Sequence, residues 1–323
     1  MDRTALTRLA RDGEDAATTL LLDGGLATTL ADRGHDLSGA LWSARLLVED
    51  PEAIIAVHAA FLAAGAEVLT CASYQLATSS LAAAGLDPRG CDRLFVRSVE
   101  LARQAVAHHA SASNRPAFVA ASVGPYGAVL GGGTEYRGEY ESDRDALRSF
   151  HGPRIDALVE AGPDLIACET IPSGDEVAAL AGLLAGSGVP AWVSMTVGPD
   201  GTTTPEGQPL TDALAPAAEL DEVVAIGVNC CPPELAGPAL ATLGGVGVPL
   251  VVYPNIGARW DGAAGRWLRE DVEVPDPTPW VEAGARLVGG CCGTGPQDLA
   301  RLRSALDDQR TRETRSPGTS ESH

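Results

Sequence analysis

Eight short apolar stretches rich in β-branched residues recur along this chain, and longer segments with the apolar spacing of helices separate them. They are "TLLLDGG" (residues 19–25), "EVLTCASY" (67–74), "AFVAASVGP" (117–125), "LIACET" (165–170), "AWVSMTV" (191–197), "VVAIGVNC" (223–230), "LVVYPNIG" (250–257) and "RLVGGCC" (286–292). Strands this continuously apolar must be covered on both faces, and helical crossovers do that in a parallel sheet. The segment "DPEAIIAVHAAFLAAGA" shows the crossover pattern: it opens on Asp-Pro, carries apolar residues at helical spacing and stops at a glycine. "LFVRSVELARQAVAHHA" and "GDEVAALAGLLAGSG" read the same way. Eight such units in 323 residues predict an α/β chain folded as a (β/α)8 TIM barrel, ahead of an open doubly wound sheet.

Polar residues collect where a barrel would need them. Asp23, Tyr74, Glu169, Asn229, Cys230, Asn255, Cys291 and Cys292 all fall at or near the C-terminal ends of predicted strands. Barrel active sites are assembled at that rim from several strands. The two polar ends of the chain carry no buried pattern, so the reading is a flexible segment over 1–17, one catalytic barrel over 18–308 and a disordered tail over 309–323.

Composition removes several functions. All 23 basic residues are arginine, and without a lysine there is no Schiff-base nucleophile, no pyridoxal phosphate anchor and no Walker-type phosphate loop. A formal charge of −20 disfavours nucleic acid as a partner. No apolar run approaches a membrane span, and the charged start is unlike a signal peptide, which points to the cytoplasm. Seven cysteines in that reducing compartment suit metal binding or catalysis better than a disulfide framework.

Cys71, Cys91 and Cys168 read as small packing residues. Cys230, Cys291 and Cys292 converge on one rim, at the ends of the sixth and eighth strands. Adjacent cysteines in a strand point to opposite sides, but a bend at Gly293 would let Cys291 and Cys292 face one centre. Three thiolates around one point suit zinc with a position left open for water or substrate, a catalytic pattern. A closed four-thiolate site including Cys231, an iron–sulfur cluster, or plain packing are the alternatives.

Asp23 and Glu169 at the pocket mouth would grip an ammonium group, and the backbone amides at Gly24 and Gly25 would cradle a carboxylate. Together they describe an amino-acid pocket. His58, His108 and His109 lie on helices and form no ligand pattern. The segment "GPYGAVLGGGTEYRGEY" (124–140) reads as a movable rim loop whose Tyr126, Tyr136 and Tyr140 are candidate neighbours of a cationic ligand or loop anchors.

The ordered set "LLLDGGLATTLADRGHDL", "LWSARLLVEDPEAI", "GAEVLTCASYQ", "ETIPS", "GVNC", "YPNIG" and "GGCCGT" resembles the homocysteine S-methyltransferase family. The likeness runs from the first strand to the eighth. "LWSARLLVEDPE" and "ASYQ" bring it nearer to the branch using S-methylmethionine or S-adenosylmethionine than to the betaine-dependent one. The resemblance implies that Cys230, Cys291 and Cys292 hold Zn2+. It also implies that Asp23 and Glu169 hold the homocysteine amino group, that Gly24 and Gly25 lie near its carboxylate, and that methionine is the product. Tyr74 and Asn255 are taken as further substrate-facing residues and Asn229 as support behind the metal ligands. The fourth sulfur is expected from the substrate, not Cys231. The competing readings are a zinc-stabilised amino-acid or thiol-binding barrel without turnover, a betaine-dependent enzyme, and a hydrolase or lyase using Asp23 and Glu169.

Overall fold

A computed structural model of the chain describes residues 19–37, 45–83, 85, 87–110, 115–256, 258–261, 266–269 and 274–315. All eight predicted strands are present. The first seven are β1 (Leu20–Leu21), β2 (Val68–Thr70), β3 (Phe118–Val123), β4 (Leu165–Ile171), β5 (Ala191–Met195), β6 (Val223–Asn229) and β7 (Leu250–Tyr253). An antiparallel hairpin of β8 (Ala258–Asp261) and β9 (Arg266–Arg269) follows, and β10 (Ala285–Val288) completes the sheet. The eight parallel strands run in the order β1-β10-β7-β6-β5-β4-β3-β2. A parallel bridge between Leu22 and Val68 joins the two ends of that order, so the sheet closes into a (β/α)8 barrel as expected.

Side-chain alternation along the strands sorts residues between two cores. Phe118 and Ala120 of β3, Leu165 and Ala167 of β4, and Trp192 of β5 fill the barrel interior with Leu20, Val68, Val251 and Leu287. The residues between them, such as Val119, Ile166, Cys168 and Val193, pack outward under the helices. Two residues further along the inward rows come Ser122, Glu169 and Ser194. The same period that fills the barrel with apolar side chains therefore lifts a polar layer to its C-terminal mouth.

The crossovers follow the predicted signals. In the helix Pro51–Ala63, Asp50 caps the first turn by accepting from the Ala53 amide at 3.2 Å, with proline at the first helical position. Helices Pro88–Ala110 and Gly174–Leu184 cover the two other segments with helical spacing.

Two differences from the sequence reading stand out. The β8–β9 hairpin, "ARWDGAAGRWLR", lies where the sequence reads only as a connection between strands, although its Asp-Gly dipeptide between two apolar-polar runs is a hairpin signal. The chain beyond 308 is not a tail from its first residue: the last helix spans Pro296–Arg315. Leu299, Leu302, Leu306 and Gln309 are buried along one face, and Arg310 donates to the Thr19 carbonyl at the foot of β1. Arg303 adds an ion pair at 3.0 Å to Glu67, which also accepts from the Leu21 amide at 3.1 Å. A single apolar stripe on an otherwise charged helix escapes a judgement based on mean polarity. The expected segment over 1–17 lies outside the described residues.

Among the described residues no helix is long and apolar enough to cross a membrane. Strands β6 and β7 approach closely at Gly227, where an added Cβ would sit 1.9 Å from the Val251 carbonyl oxygen. Gly227→Ala is expected to lower stability by about 3 kcal/mol, read from chemical denaturation. Gly245→Ala, at a position with open space around it, should stay within about 0.5 kcal/mol of the parent.

Candidate metal centre and pocket

Strand ends bring Cys230, Cys291 and Cys292 together as the sequence suggested. Their sulfurs all lie within 4.8 Å of one another, and Cys230 and Cys292 are 3.8 Å apart. Three local devices achieve this. Cys230 takes a left-handed conformation, φ 51°, just past β6; such a residue is costly outside glycine and turns the thiol inward. After β10 the chain folds into a turn closed by the Thr294 amide on the Cys291 carbonyl at 3.1 Å, with Gly293 at φ 83°. Gly25 lets the first strand pass beneath: a Cβ there would lie 2.8 Å from the Cys291 carbonyl oxygen and 3.2 Å from the Cys292 Cα.

The electrostatics of the cluster favour a cation. Hydrogen bonds from Cys291 and Cys292 hold the Cys230 thiol well below its ordinary range, while the other two are pushed well above theirs by donating those bonds and by burial. One thiolate is stabilised by two thiols; three thiolates would repel one another without a positive charge between them. A tetrahedral thiolate site with Zn–S bonds of about 2.3 Å has sulfurs about 3.8 Å apart, and the Cys230–Cys292 separation fits.

Cys231 is not in the cluster. Its side chain is buried in the apolar layer under the helices, and burial drives its thiol pKa upward. Cys91 and Cys168 are buried packing residues as expected; Cys71 is buried too, but it lines the cavity and its sulfur lies 3.1 Å from Ser73 Oγ.

Asn229 stands behind the cluster. Its Oδ1 accepts from the Thr170 amide at 2.7 Å and from Ser194 Oγ at 2.9 Å, while its Nδ2 donates to Thr170 Oγ1 at 2.9 Å and lies 4.0 Å from the Cys291 sulfur. It ties β4, β5 and β6 together at the rim and holds Thr170 at φ 62°. Asn255 departs from expectation. It does not line the pocket; its side chain lies beside Cys230 and favours that thiol's charged form, its Oδ1 is buried with no hydrogen-bond partner among the described residues, and its amide donates to the Cys231 carbonyl at 2.8 Å. The turn after β7 aims it at the cysteines rather than at the cavity.

The cavity opens directly in front of the sulfurs. Asp23, Gly24, Gly25, Tyr74 and Glu169 line it with all three cysteines, and so do Ser122, Tyr253, Glu135 and Tyr136. Asp23 accepts from the Thr70 amide and hydroxyl, both at 2.9 Å. Burial nevertheless raises its pKa to about 8, against those hydrogen bonds and with a smaller push from the charge of Glu169. Burial also lifts Glu169 to about 7, opposed by hydrogen bonds from Ser122 and Tyr253. Tyr253 is fixed in turn by the Trp192 indole N–H at 2.9 Å and by Ser194 at 2.7 Å. Among the described residues no lining residue is basic, so the charged groups of the wall are carboxyls and suit a cationic group of the ligand.

Of the two glycines expected to offer open amides, Gly25 does not. The Gly25 amide already donates to the Thr294 carbonyl at 3.0 Å, while both glycines line the cavity and leave no room for a Cβ against the turn that follows β10.

The rim segment 124–140 folds into a helix, Tyr126–Leu130, and a 3-10 turn, Thr134–Tyr136. Tyr136 places its hydroxyl 3.5 Å from the Cys230 sulfur. Tyr126 and Tyr140 instead stack edge-to-face at 5.4 Å as anchors. Sequence reading passes over Glu135, whose neighbours look like loop polarity, and over the buried network beneath the loop. There Glu176 accepts from the Tyr126 amide at 2.6 Å and pairs with His151 at 2.7 Å, while Arg154 donates to the Gly124 and Tyr74 carbonyls, both at 2.9 Å. Their helical spacing resembles that of ordinary surface charges, which hides them in a single sequence.

Replacing Cys230, Cys291 or Cys292 with serine should reduce bound metal to a small fraction of one equivalent by atomic absorption. Cys231→Ser should retain full stoichiometry.

Comparison with known proteins converges on one family. The family model described as homocysteine S-methyltransferase matches residues 20–306. The chain is 45% identical to the homocysteine S-methyltransferase of Escherichia coli (strain K12), covering 90% of this chain and 96% of that protein. It is 39% identical to homocysteine S-methyltransferase YbgG of Bacillus subtilis (strain 168), covering 89% and 94%. The crystal structure of the homocysteine methyltransferase MmuM from Escherichia coli in its metallated form superposes with a TM-score of 0.81 at 42% identity, covering 92% of this chain and 99% of that one.

Proposed function

Because this chain belongs to the homocysteine S-methyltransferase family, we propose that it transfers a methyl group from a sulfonium donor, S-methylmethionine or S-adenosylmethionine, to homocysteine and forms methionine. The observation that carries this reading is the meeting of three cysteine sulfurs with two ammonium-seeking carboxyl groups in one cavity that has no basic lining residue among the described residues.

Cys230, Cys291 and Cys292 are the residues that would hold zinc. Zinc supplies, when bound, the positive charge that keeps these thiols and the homocysteine thiol deprotonated near neutral pH. Asp23 and Glu169 receive the homocysteine ammonium, and its arrival favours their charged forms against the burial that raises their pKa values. Ser122 fixes the Glu169 carboxylate, and Thr70 fixes that of Asp23, so the amino acid is held with its sulfur directed at the cysteines.

The homocysteine thiol gives its proton to solvent on entering the site. Its sulfur lone pair then forms the new S–CH3 bond as the donor's C–S bond breaks, and the departing sulfur keeps that bond's electron pair. The leaving group is a neutral thioether, so no general acid is needed. Tyr74, Tyr136 and the rim turn narrow the cavity and exclude water from the reacting atoms. The departing thioether has lost the sulfonium charge, so its attraction to the aromatic rings of the cavity weakens after transfer, while its ammonium group is unchanged.

Methionine formation from homocysteine and S-methylmethionine tests the reading, with S-adenosylmethionine and betaine as the other donors. Activity is expected with a sulfonium, lost on chelation and in Cys291→Ser; betaine as the best donor, or no turnover at full zinc loading, would refute it. The pH profile adds a directional check. Ammonium binding requires ionised carboxylates, so kcat/KM for homocysteine should fall as pH is lowered through about 8 to 7, the folded-state values of Asp23 and Glu169. Ser122→Ala removes a hydrogen bond that favours the charged form of Glu169, so it should move that limb to higher pH.

A further inference from the structure

The cavity has one carboxyl group more than the acceptor needs. Asp23 and Glu169, on the β1 and β4 ends, line the same cavity and feel each other's charge, and the reading above gives both to one substrate ammonium. Glu135 reaches the cavity from the rim turn instead. It is 7% exposed, and its Oε2 is buried with no hydrogen-bond partner. Leaving a carboxylate oxygen unpaired in such a place costs stability, and burial lifts its pKa to about 7. The nearest cation that acts on it, Arg137, spends its guanidinium on the Gly132 and Gly133 carbonyls and on Thr134 Oγ1. Around Glu135 stand aromatic residues whose ionisation its charge opposes: Tyr74, Tyr136 and Tyr140.

We infer that Glu135 is the donor-specificity residue, receiving the α-ammonium group of an amino-acid sulfonium across the cavity from the homocysteine site. This rests on the methyltransferase reading above. Two centres of the donor are positive, and physical chemistry separates them. The sulfonium charge vanishes as the methyl group leaves. A carboxylate against it would stabilise the ground state more than the transition state and slow the reaction. The α-ammonium keeps its charge throughout, so a carboxylate there contributes equally to both states and selects the substrate without raising the barrier. An ammonium also brings three N–H donors to an oxygen that has none, which a sulfonium cannot do. The faces of Tyr74 and Tyr136 are left for the sulfonium, which they attract through the ring quadrupole and release as it becomes neutral.

The test compares zinc-loaded parent and Glu135→Gln in equilibrium binding of S-methylmethionine by calorimetry and in turnover. The amide of this variant keeps the shape of the side chain and loses the charge. The dissociation constant and KM for S-methylmethionine should rise at least tenfold, KM for homocysteine should change less than twofold, and zinc content should stay at one equivalent. With trimethylsulfonium, a methyl donor that has no ammonium, the rates of the two proteins at a fixed high concentration should agree within twofold. Glu135→Asp, charged on a shorter arm, should recover part of the S-methylmethionine affinity. Unchanged S-methylmethionine binding, a parallel rise in KM for homocysteine, or an equal loss with trimethylsulfonium would each overturn the inference. A parent protein that binds S-methylmethionine but turns over no donor would instead refute the methyltransferase reading, and the binding comparison alone would still judge Glu135.

Discussion

Three sulfurs within 4.8 Å of one another cannot all be charged unless a cation joins them, and that constraint organises everything near the barrel mouth. Without such a cation, one thiolate is stabilised by two thiols. The protein maintains the crowding at a backbone cost: a non-glycine residue in left-handed conformation at Cys230 and a second at Thr170, each in a region that surrounding contacts must over-determine. Asn229 supplies those contacts, binding the amide and the hydroxyl of Thr170 and reaching back toward Cys291. Strain of this kind is retained where a site must be pre-formed rather than assembled on ligand arrival.

The same alternation that builds the core builds the pocket. Inward-facing rows of β3, β4 and β5 are apolar at the lower levels and then change to Ser122, Glu169 and Ser194, so chemistry begins where the hydrophobic filling stops. Below that level Trp192 and Tyr253 form an edge-to-face pair, centroids 6.2 Å apart, that couples the packed interior to the polar layer through the indole N–H and the phenol. The carboxyl groups thus rest on a rigid floor. Their raised pKa values follow from burial, and a positive group arriving beside them would favour their charged forms.

Much of this was legible in the chain itself. Eight apolar stretches gave the strand count, and strand-end positions gave Asp23, Glu169, Asn229 and the three cysteines, because a barrel makes strand ends converge whatever their separation in sequence. What escaped depends on side-chain direction. Asn255 sits at a strand end like the others, but the turn after β7 points it at Cys230 instead of the cavity. Gly25 looked like an open amide, and only the fold shows its N–H taken by Thr294. Glu135 had no strand to place it. Arg154 and Glu176 lie on helices whose spacing alone does not distinguish them from solvent-facing charges, yet both turn inward. The polar C-terminal helix was hidden for the opposite reason, since one buried stripe is enough to dock twenty residues.

The central claim is that the acceptor sulfur joins the three cysteine sulfurs at one metal ion. X-ray absorption at the zinc edge, recorded on the loaded protein before and after addition of homocysteine, counts the sulfur neighbours directly. The account predicts three sulfurs with one lighter neighbour before addition and four sulfurs after it. Four sulfurs already present without homocysteine, or three that do not change when it binds, would contradict it.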